Sequence, residues 1–330
     1  MMTFIEKAWK KQSLWLYLLA PFSLLFWLLS VVRRTLFKVG IKTTHRLPVP
    51  VVVVGNISVG GNGKTPAVLA IVEHLQSNGF SPGILSRGYG AMCKDFPYHV
   101  QCTDSATWAG DEPLLMAQQA LVPVVIDPNR VRGGQYLAQH CDVIICDDGL
   151  QHYALHRDIE IVVMDERRVG NGWVLPVGNL RELPGRLRSV DFVILNSASI
   201  QNKHEIQMQL VPQALQPVNP ASVSQFAKPP VEFDYLMTGI GNPQRFEDTC
   251  DNLSIVFHHT LFYPDHFHYR PKDVPSGSVI MTQKDAVKCA GFALAQWYYL
   301  PVKATFSEHF LSDLTTLLNT RTPVKPTNGF

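Results

Sequence analysis

Val51-Val52-Val53-Val54-Gly55-Asn56-Ile57-Ser58-Val59-Gly60-Gly61-Asn62-Gly63-Lys64-Thr65-Pro66 is the stretch that decides the fold. Four consecutive β-branched residues after Pro50 read as a buried strand, and the apolar run from Ala67 to Leu75 has helical spacing. Between them lies a glycine-rich loop ending Gly-Lys-Thr. A strand, such a loop and a helix form a phosphate cradle: small residues let the backbone N–H groups of Ser58, Val59, Gly60, Gly61, Asn62 and Gly63 wrap phosphates, Lys64 reaches the β and γ oxygens, and the Thr65 hydroxyl reaches Mg²⁺. ATP and Mg²⁺ are therefore the expected cofactors. The pattern G-x-x-x-x-G-K-[ST] asks for glycine at position 58, where this chain has Ser58.

Further along, apolar runs at Gly83–Leu85, Val122–Ile126, Val143–Cys146, Ile159–Met164 and Phe192–Leu195 alternate with helical stretches. Such alternation predicts a parallel sheet covered by helices on both faces. A polar, proline-bearing stretch from about Gln201 to Pro230 breaks the rhythm and serves as the expected interdomain connection. Shorter strand-like runs at Tyr235–Thr238, Leu253–Phe257 and Val279–Thr282 follow. The expected organisation is an amino-terminal membrane segment (1–32), a P-loop NTPase-like α/β domain (33–215) and a smaller α/β domain (216–330) that closes over the site.

Leu14 to Val32 carries no charged residue, and about 19 apolar positions suffice for a helix to cross the hydrocarbon core. No small-residue cleavage site follows it, which argues against a signal peptide. Lys7, Lys10 and Lys11 precede the segment and Arg33, Arg34 and Lys38 follow it, so charge bias leaves spanning and lying in one leaflet both open. The 330 residues are 46% hydrophobic with a net charge of +2, the balance of an ordered protein without the basic excess of a nucleic-acid binder. No obligate protein partner is evident. The six cysteines form no C-x-x-C pair or zinc-like spacing, in keeping with free thiols in a reducing compartment.

A P-loop enzyme needs an acid at the end of a neighbouring strand to organise magnesium, and Val143-Ile144-Ile145-Cys146-Asp147-Asp148-Gly149 offers two, with Asp147 and Asp148 equally placed by sequence. Loops after successive strands of a doubly wound sheet line one crevice. On that basis Asp111 of Gly110-Asp111-Glu112-Pro113 can accept a proton from a substrate hydroxyl, and Arg87 and Tyr89 of Ser86-Arg87-Gly88-Tyr89-Gly90 can meet the substrate. Arg167, Arg168, Arg181, Arg186 and Arg188, interleaved with Trp173, Val174, Leu175, Val177 and Leu180, suit an amphiphilic anion or equally a solvated loop with core anchors. His266, in Tyr263-Pro264-Asp265-His266-Phe267-His268-Tyr269, fits a histidine that assists a carboxylate base.

Taken together, GNISVGGNGKTP, LSRGYG, GDEPLL, DDGLQH, GNGWVLPVGNLRE, TGIGNPQRF, DHFHY and TQKDAVK resemble the tetraacyldisaccharide 4'-kinase (lipid A 4'-kinase) family of Gram-negative bacteria over most of the chain. That family's loop also carries SVGG before its Gly-Lys, which accounts for Ser58. The resemblance implies transfer of the ATP γ-phosphate to the 4'-hydroxyl of a tetraacyldisaccharide 1-phosphate in lipid A biosynthesis, with Mg²⁺, at the cytoplasmic face of the inner membrane. It further implies catalytic roles for Asp111, His266 and Lys64, metal-organising roles for Thr65, Asp147 and Asp148, and active-site positions for Arg181 and Glu182. The acylated disaccharide phosphate and the bilayer are then the partners. Two other readings compete. A membrane-associated GTPase or ATP-driven switch would carry Asn-Lys-x-Asp, whereas Thr282-Gln283-Lys284-Asp285 has lysine at the wrong step, and a lipid-binding protein could hold nucleotide structurally without turnover.

Overall fold

The computed structural model describes residues 4–197, 205–219, 230, 232–307 and 309–321. Much of the expected interdomain stretch, 201–204 and 220–229, lies outside the described residues.

A short helix α1 (Phe4–Lys10) and a 3-10 turn over Leu14–Leu19 lead into α2 (Ala20–Lys38). Strands and helices then alternate as β1 (Val51–Gly55), α3 (Lys64–Ser77), β2 (Pro82–Ser86), β3 (Tyr98–His99), α4 (Ala106–Ala109), α5 (Asp111–Ala120), β4 (Val124–Ile126), α6 (Arg130–Leu137) and β5 (Val143–Asp147). Next come β6 (Ile159–Asp165), β7 (Phe192–Asn196) and β8 (Glu205–Pro212). The remainder comprises β9 (Gln216–Pro217), β10 (Glu232–Thr238), α7 (Pro243–Asn252), β11 (Val256–Phe262), β12 (Val279–Thr282), α8 (Gln283–Cys289), β13 (Trp297–Leu300), β14 (Val302–Phe306) and α9 (Phe310–Arg321).

Nine strands form one sheet in the order β14-β8-β7-β6-β1-β5-β2-β4-β3, parallel from β8 to β4 with antiparallel edges. The valine run is its centre, between β5 and β6. Alternate valines go to opposite faces: Val52 and Val54 pack with Ile71, Ile84 and Ile145, and Val51 and Val53 with Leu85, Ile144 and Cys146. Helices on both sides make a continuous apolar run affordable, and each valine removed from water contributes about 2 kcal/mol as an upper estimate. Five further strands, β11-β10-β12-β13-β9, form a smaller sheet, parallel except for β9. The chain is thus α/β with a large parallel-dominated sheet, a second α/β sheet and an apolar amino-terminal helix.

The expectation of a single carboxy-terminal unit over 216–330 needs correction. The smaller sheet ends at β13, and the chain returns to the large one: β14 pairs with β8, Ala304 opposite Leu210. In α9, Phe310, Leu314 and Leu318 fall at i, i+4 and i+8 and complete the main core against α3 and β7. Strand β11 starts at Val256 rather than Leu253, which caps α7.

Helix α2 runs without a break past position 32 to Lys38, with Pro21 in its first turn, where a missing N–H costs nothing. Its buried anchor is Ser23, whose hydroxyl donates to Val174 O and accepts from Val177 N, both at 3.0 Å. Trp9 Nε1 adds a hydrogen bond to Pro176 O at 2.9 Å. Elsewhere Leu14, Leu18, Phe22 and Leu29 stand exposed. Mean hydropathy from Leu14 to Lys38 reaches 2.0 with only 11% of its most apolar window buried, so length and composition suit a membrane and the covering expected of a core helix is missing.

Candidate phosphoryl-transfer site

The loop after β1 is held open by side chains. Gly63 has φ +89°, and a Cβ there would lie 2.5 Å from Asn196 Nδ2, so only glycine fits. Buried Asn62 donates to Ser58 Oγ at 2.9 Å, receives Arg167 Nη2 at 3.1 Å, and its carbonyl receives Asn196 Nδ2 at 3.2 Å. Ser58 therefore braces the loop from behind where a glycine could not. Gly60 to Thr65 line the adjoining cavity, whereas Ser58 and Val59, expected on the cradle wall, do not. The Val59 amide is already used, donating to Asn179 O at 2.8 Å.

Parallel pairing sets Val54 beside Asp147 and so brings the two acids to the cradle. Their environments differ. Asp148, at φ 48°, accepts Arg181 Nη1 at 3.1 Å on both oxygens and sits 3.5 Å from Lys64 Nζ. Burial raises its pKa, but Lys64 and Arg181 outweigh that and hold the carboxyl below its usual range. Asp147, 2% exposed, receives only Ser86 Oγ, at 3.4 Å on Oδ2, and its buried Oδ1 has no partner among the described residues. Burial and the Glu112 carboxylate push Asp147 up, to about 7, against the pull of Lys64. An orphaned buried carboxylate oxygen on the wall of the cavity that Thr65 also lines is a hard-oxygen donor set that fits a small divalent cation. Arg130 donates to Asp127 O at 3.0 Å and Asp147 O at 3.1 Å and ties the ends of β4 and β5 together.

Asp111 opens α5, where the helix dipole favours an acid. His266, 155 residues away at φ 58°, turns Nδ1 onto it at 3.1 and 3.0 Å. Burial raises the Asp111 pKa, but the His266 hydrogen bond and the Lys284 charge overcome this and lower it to about 2. The same hydrogen bond raises the His266 pKa against burial and Lys284. His266 lines the large cavity and Asp111 stands behind it, facing a small recess. Tyr89 packs edge-on to the imidazole, centroids 5.2 Å apart, and the exposed Arg87 shares the cavity wall.

Arg181 and Glu182 diverge in role. Glu182, 9% exposed, accepts Gln151 Nε2 at 2.8 Å and Tyr153 OH at 2.9 Å, so it fixes cavity-wall side chains. Of the remaining arginines in that basic stretch, Arg186 is buried against Glu160 at 2.5 Å and Arg167 pairs with Asp165 at 2.6 Å while bracing Asn62. These charges are committed within the fold rather than offered as a phosphate fork.

One cavity of 1110 Å³ joins these groups. The P-loop, Asp147, Asp148, Arg181 and His266 line it, Arg245, Phe246 and Thr249 of α7 close one side, and Phe26, Trp27, Ser30, Val31, Arg33 and Arg34 of α2 form another. The α2 wall was not legible beforehand, because nothing in the sequence ties Leu14–Lys38 to residues 150 positions later. Gly241 meets the P-loop across the two sheets: a Cβ there would lie 3.1 Å from Gly61 N.

Residues 15–319 match the family model described as Tetraacyldisaccharide-1-P 4'-kinase (LpxK). The tetraacyldisaccharide 4'-kinase of Pseudoalteromonas atlantica is 46% identical over 301 residues, covering 89% of this chain and 97% of its own. That of Haemophilus influenzae is 46% identical over 307 residues, 91% of this chain and 92% of its own. The crystal structure of LpxK from Aquifex aeolicus in complex with ATP superposes with a TM-score of 0.77 at 29% identity, covering 93% of this chain and 99% of that one. With the family model spanning nearly the whole chain and relatives this similar, the protein belongs to the tetraacyldisaccharide 4'-kinase family.

Proposed function

We propose that the cavity is where this ATP-dependent phosphotransferase moves the γ-phosphate of ATP to the 4'-hydroxyl of a tetraacyldisaccharide 1-phosphate, a step of lipid A synthesis. The observation that supports this most is the continuity of one space from a phosphate cradle, past an Asp-His pair, to an apolar and basic helix wall. Lys64 and the N–H groups of Gly60 to Gly63 hold the nucleotide phosphates, and Arg181, locked on Asp148, adds fixed positive charge where negative charge spreads in the transition state. Thr65, Asp147 and Asp148 are the residues that would hold Mg²⁺, which when bound neutralises the phosphate oxygens. The attacking hydroxyl gives its proton to Nε2 of His266 as the new oxygen–phosphorus bond forms and the bond to the β-phosphate oxygen breaks, releasing ADP. Asp111 keeps the Nδ1 proton and stabilises the imidazolium.

Four acyl chains keep such a substrate in a bilayer, so the exposed face of α2 holds the enzyme at the inner membrane, cytoplasmic side, with the α2 wall meeting the lipid. The smaller sheet closes the site through Gly241 on the P-loop and His266 on Asp111. Incubation with labelled Mg-ATP and purified tetraacyldisaccharide 1-phosphate in detergent tests the reading. Label in the lipid supports it; nucleotide hydrolysis without labelled lipid returns the protein to the switch or ATPase reading.

A further inference from the structure

The segment Thr282-Gln283-Lys284-Asp285, which fails as a guanine-reading motif, ends up beside the Asp111–His266 pair. Lys284 Nζ lies 3.3 Å from His266 Nε2, 2.9 Å from Glu112 Oε1, 3.2 Å from Asp265 Oδ1 and 3.8 Å from Asp111 Oδ2. Its side chain is 17% exposed and on the cavity wall. Two carboxylates, Glu112 on α5 and Asp265 on the loop after β11, thus hold one ammonium against the imidazole nitrogen that Asp111 does not use.

We propose that Lys284 is a positioning residue of the phosphoryl transfer: pinned by Glu112 and Asp265, its ammonium opposes a second proton on Nε2 of His266, so that the imidazole is an acceptor for the substrate hydroxyl at a lower pH than Asp111 alone would allow. The inference rests on the reading of Asp111 and His266 as the proton-accepting pair.

The physical argument is a competition of charges. Asp111 alone would draw a second proton onto His266 and leave an ion pair unable to accept another. A cation 3.3 Å from Nε2 opposes that second proton while tolerating the first, on Nδ1. The Asp111 hydrogen bond raises the His266 pKa, burial and Lys284 lower it, and the net value stays above that of free histidine, so Lys284 limits the shift without cancelling it. Burial disfavours the Lys284 charge, yet Glu112, Asp111 and Asp265 raise its pKa overall, so the ammonium persists through neutral pH. Those groups, with Tyr89 on the ring face and His268 and Lys288 at the recess behind, are the titratable neighbours of the pair.

The neighbouring residue explains how Lys284 is aimed. Asp285 is fully buried and accepts Thr238 Oγ1 at 3.0 Å, Gly239 N at 3.1 Å, Tyr269 OH at 3.0 Å and Thr282 Oγ1 at 2.6 Å, with Lys288 Nζ at 2.8 Å. One carboxylate therefore ties the end of β10, the loop that carries His266 and the start of α8. Lys284 projects from this knot to the other sheet, which gives the smaller sheet a charged contact with α5 at the reacting centre.

The test is the pH profile of kcat/KM for full-length wild type, Lys284→Met, Lys284→Arg and His266→Asn with the lipid substrate. Wild type should lose rate on the acid side as His266 protonates, and that limb should be absent in His266→Asn. Lys284→Met should move the limb to higher pH by about one unit, tenfold in rate at a fixed acid pH, while nearing its plateau at high pH. Lys284→Arg should return the limb to the wild-type position. An unshifted limb in Lys284→Met, or a lowered plateau without a shift, overturns the role of Lys284. A limb that survives in His266→Asn overturns the underlying pair instead. If Lys284→Met does not fold, Lys284→Gln takes its place, with the same two outcomes.

Discussion

At the scale of single residues, the site works by giving similar groups different surroundings. Asp147 and Asp148 are neighbours, yet one is clasped by Arg181 and Lys64 and the other keeps an orphaned oxygen. On the proposed mechanism Asp111→Ala should lower kcat by about 10²–10⁴ with ATP binding intact, since it removes the partner of the imidazole and not the cradle. Nucleotide titration alongside turnover checks this, and a variant with wild-type turnover would contradict it. A pH effect on stability follows from the same pair. The folded pKa of His266 is raised, so its contact with Asp111 stabilises fully below the unfolded value of about 6.5 and fades as pH rises through the folded value. Asp111, lowered to about 2, contributes above its unfolded value and loses this only as pH falls toward 2. Thermal unfolding of wild type and His266→Ala should accordingly differ more at pH 5.5 than at pH 9 (values set by about 6.5 for free histidine); an equal gap would contradict the assignment. That Gly-Lys-Thr, Asp147-Asp148, Asp111 and His266 belong together was legible because each motif states its own chemistry, and the structure gathers them at one cavity and the recess behind it. That Ser58 braces the loop, that Asp111 stands behind His266, and that Arg186 is tied to Glu160 were not, because partner choice depends on residues tens to hundreds of positions away.

Among the elements, β1, β5 and α3 were readable from runs of β-branched residues and helical spacing, which local sequence carries. Strand β14 was not. Val302-Lys303-Ala304-Thr305-Phe306 is short and half polar because it lies at an edge, and its membership of the large sheet is fixed by pairing with β8. The same limit concealed α2 as a cavity wall. Ser23 is its one buried polar anchor in α2, accepting from Val177 N and donating to Val174 O. Ser23→Leu should leave those two backbone groups unpaired and crowd the contact. The expected result is a several-fold rise in KM for the lipid with KM for ATP little changed, measured in mixed micelles. Equal changes in both constants would show that α2 shapes the whole fold and not one wall.

For the molecule as a whole, the smaller sheet is inserted between β8 and β14 of the large one, so both ends of the insertion are anchored in the same sheet. A chain stopped after β13 loses β14 and α9, including Phe310, Leu314 and Leu318 from the main core. Each such side chain is worth about 2–5 kcal/mol, comparable in sum to the entire stability of a domain. Truncation after Leu300 should therefore abolish cooperative unfolding of the large domain, and retained cooperative unfolding would refute the account of the return strand. The insertion also explains how two sheets come to share one cavity: Gly241 reaches Gly61, and His266 with Lys284 reaches Asp111 and Glu112. The central claim, that this shared cavity phosphorylates the lipid, is tested most directly by ³¹P NMR of the lipid recovered after reaction with Mg-ATP. The account predicts a second phosphate monoester on the disaccharide, formed one-for-one with ADP and lost in Lys64→Ala. ADP and inorganic phosphate accumulating while the lipid keeps a single phosphate would contradict it.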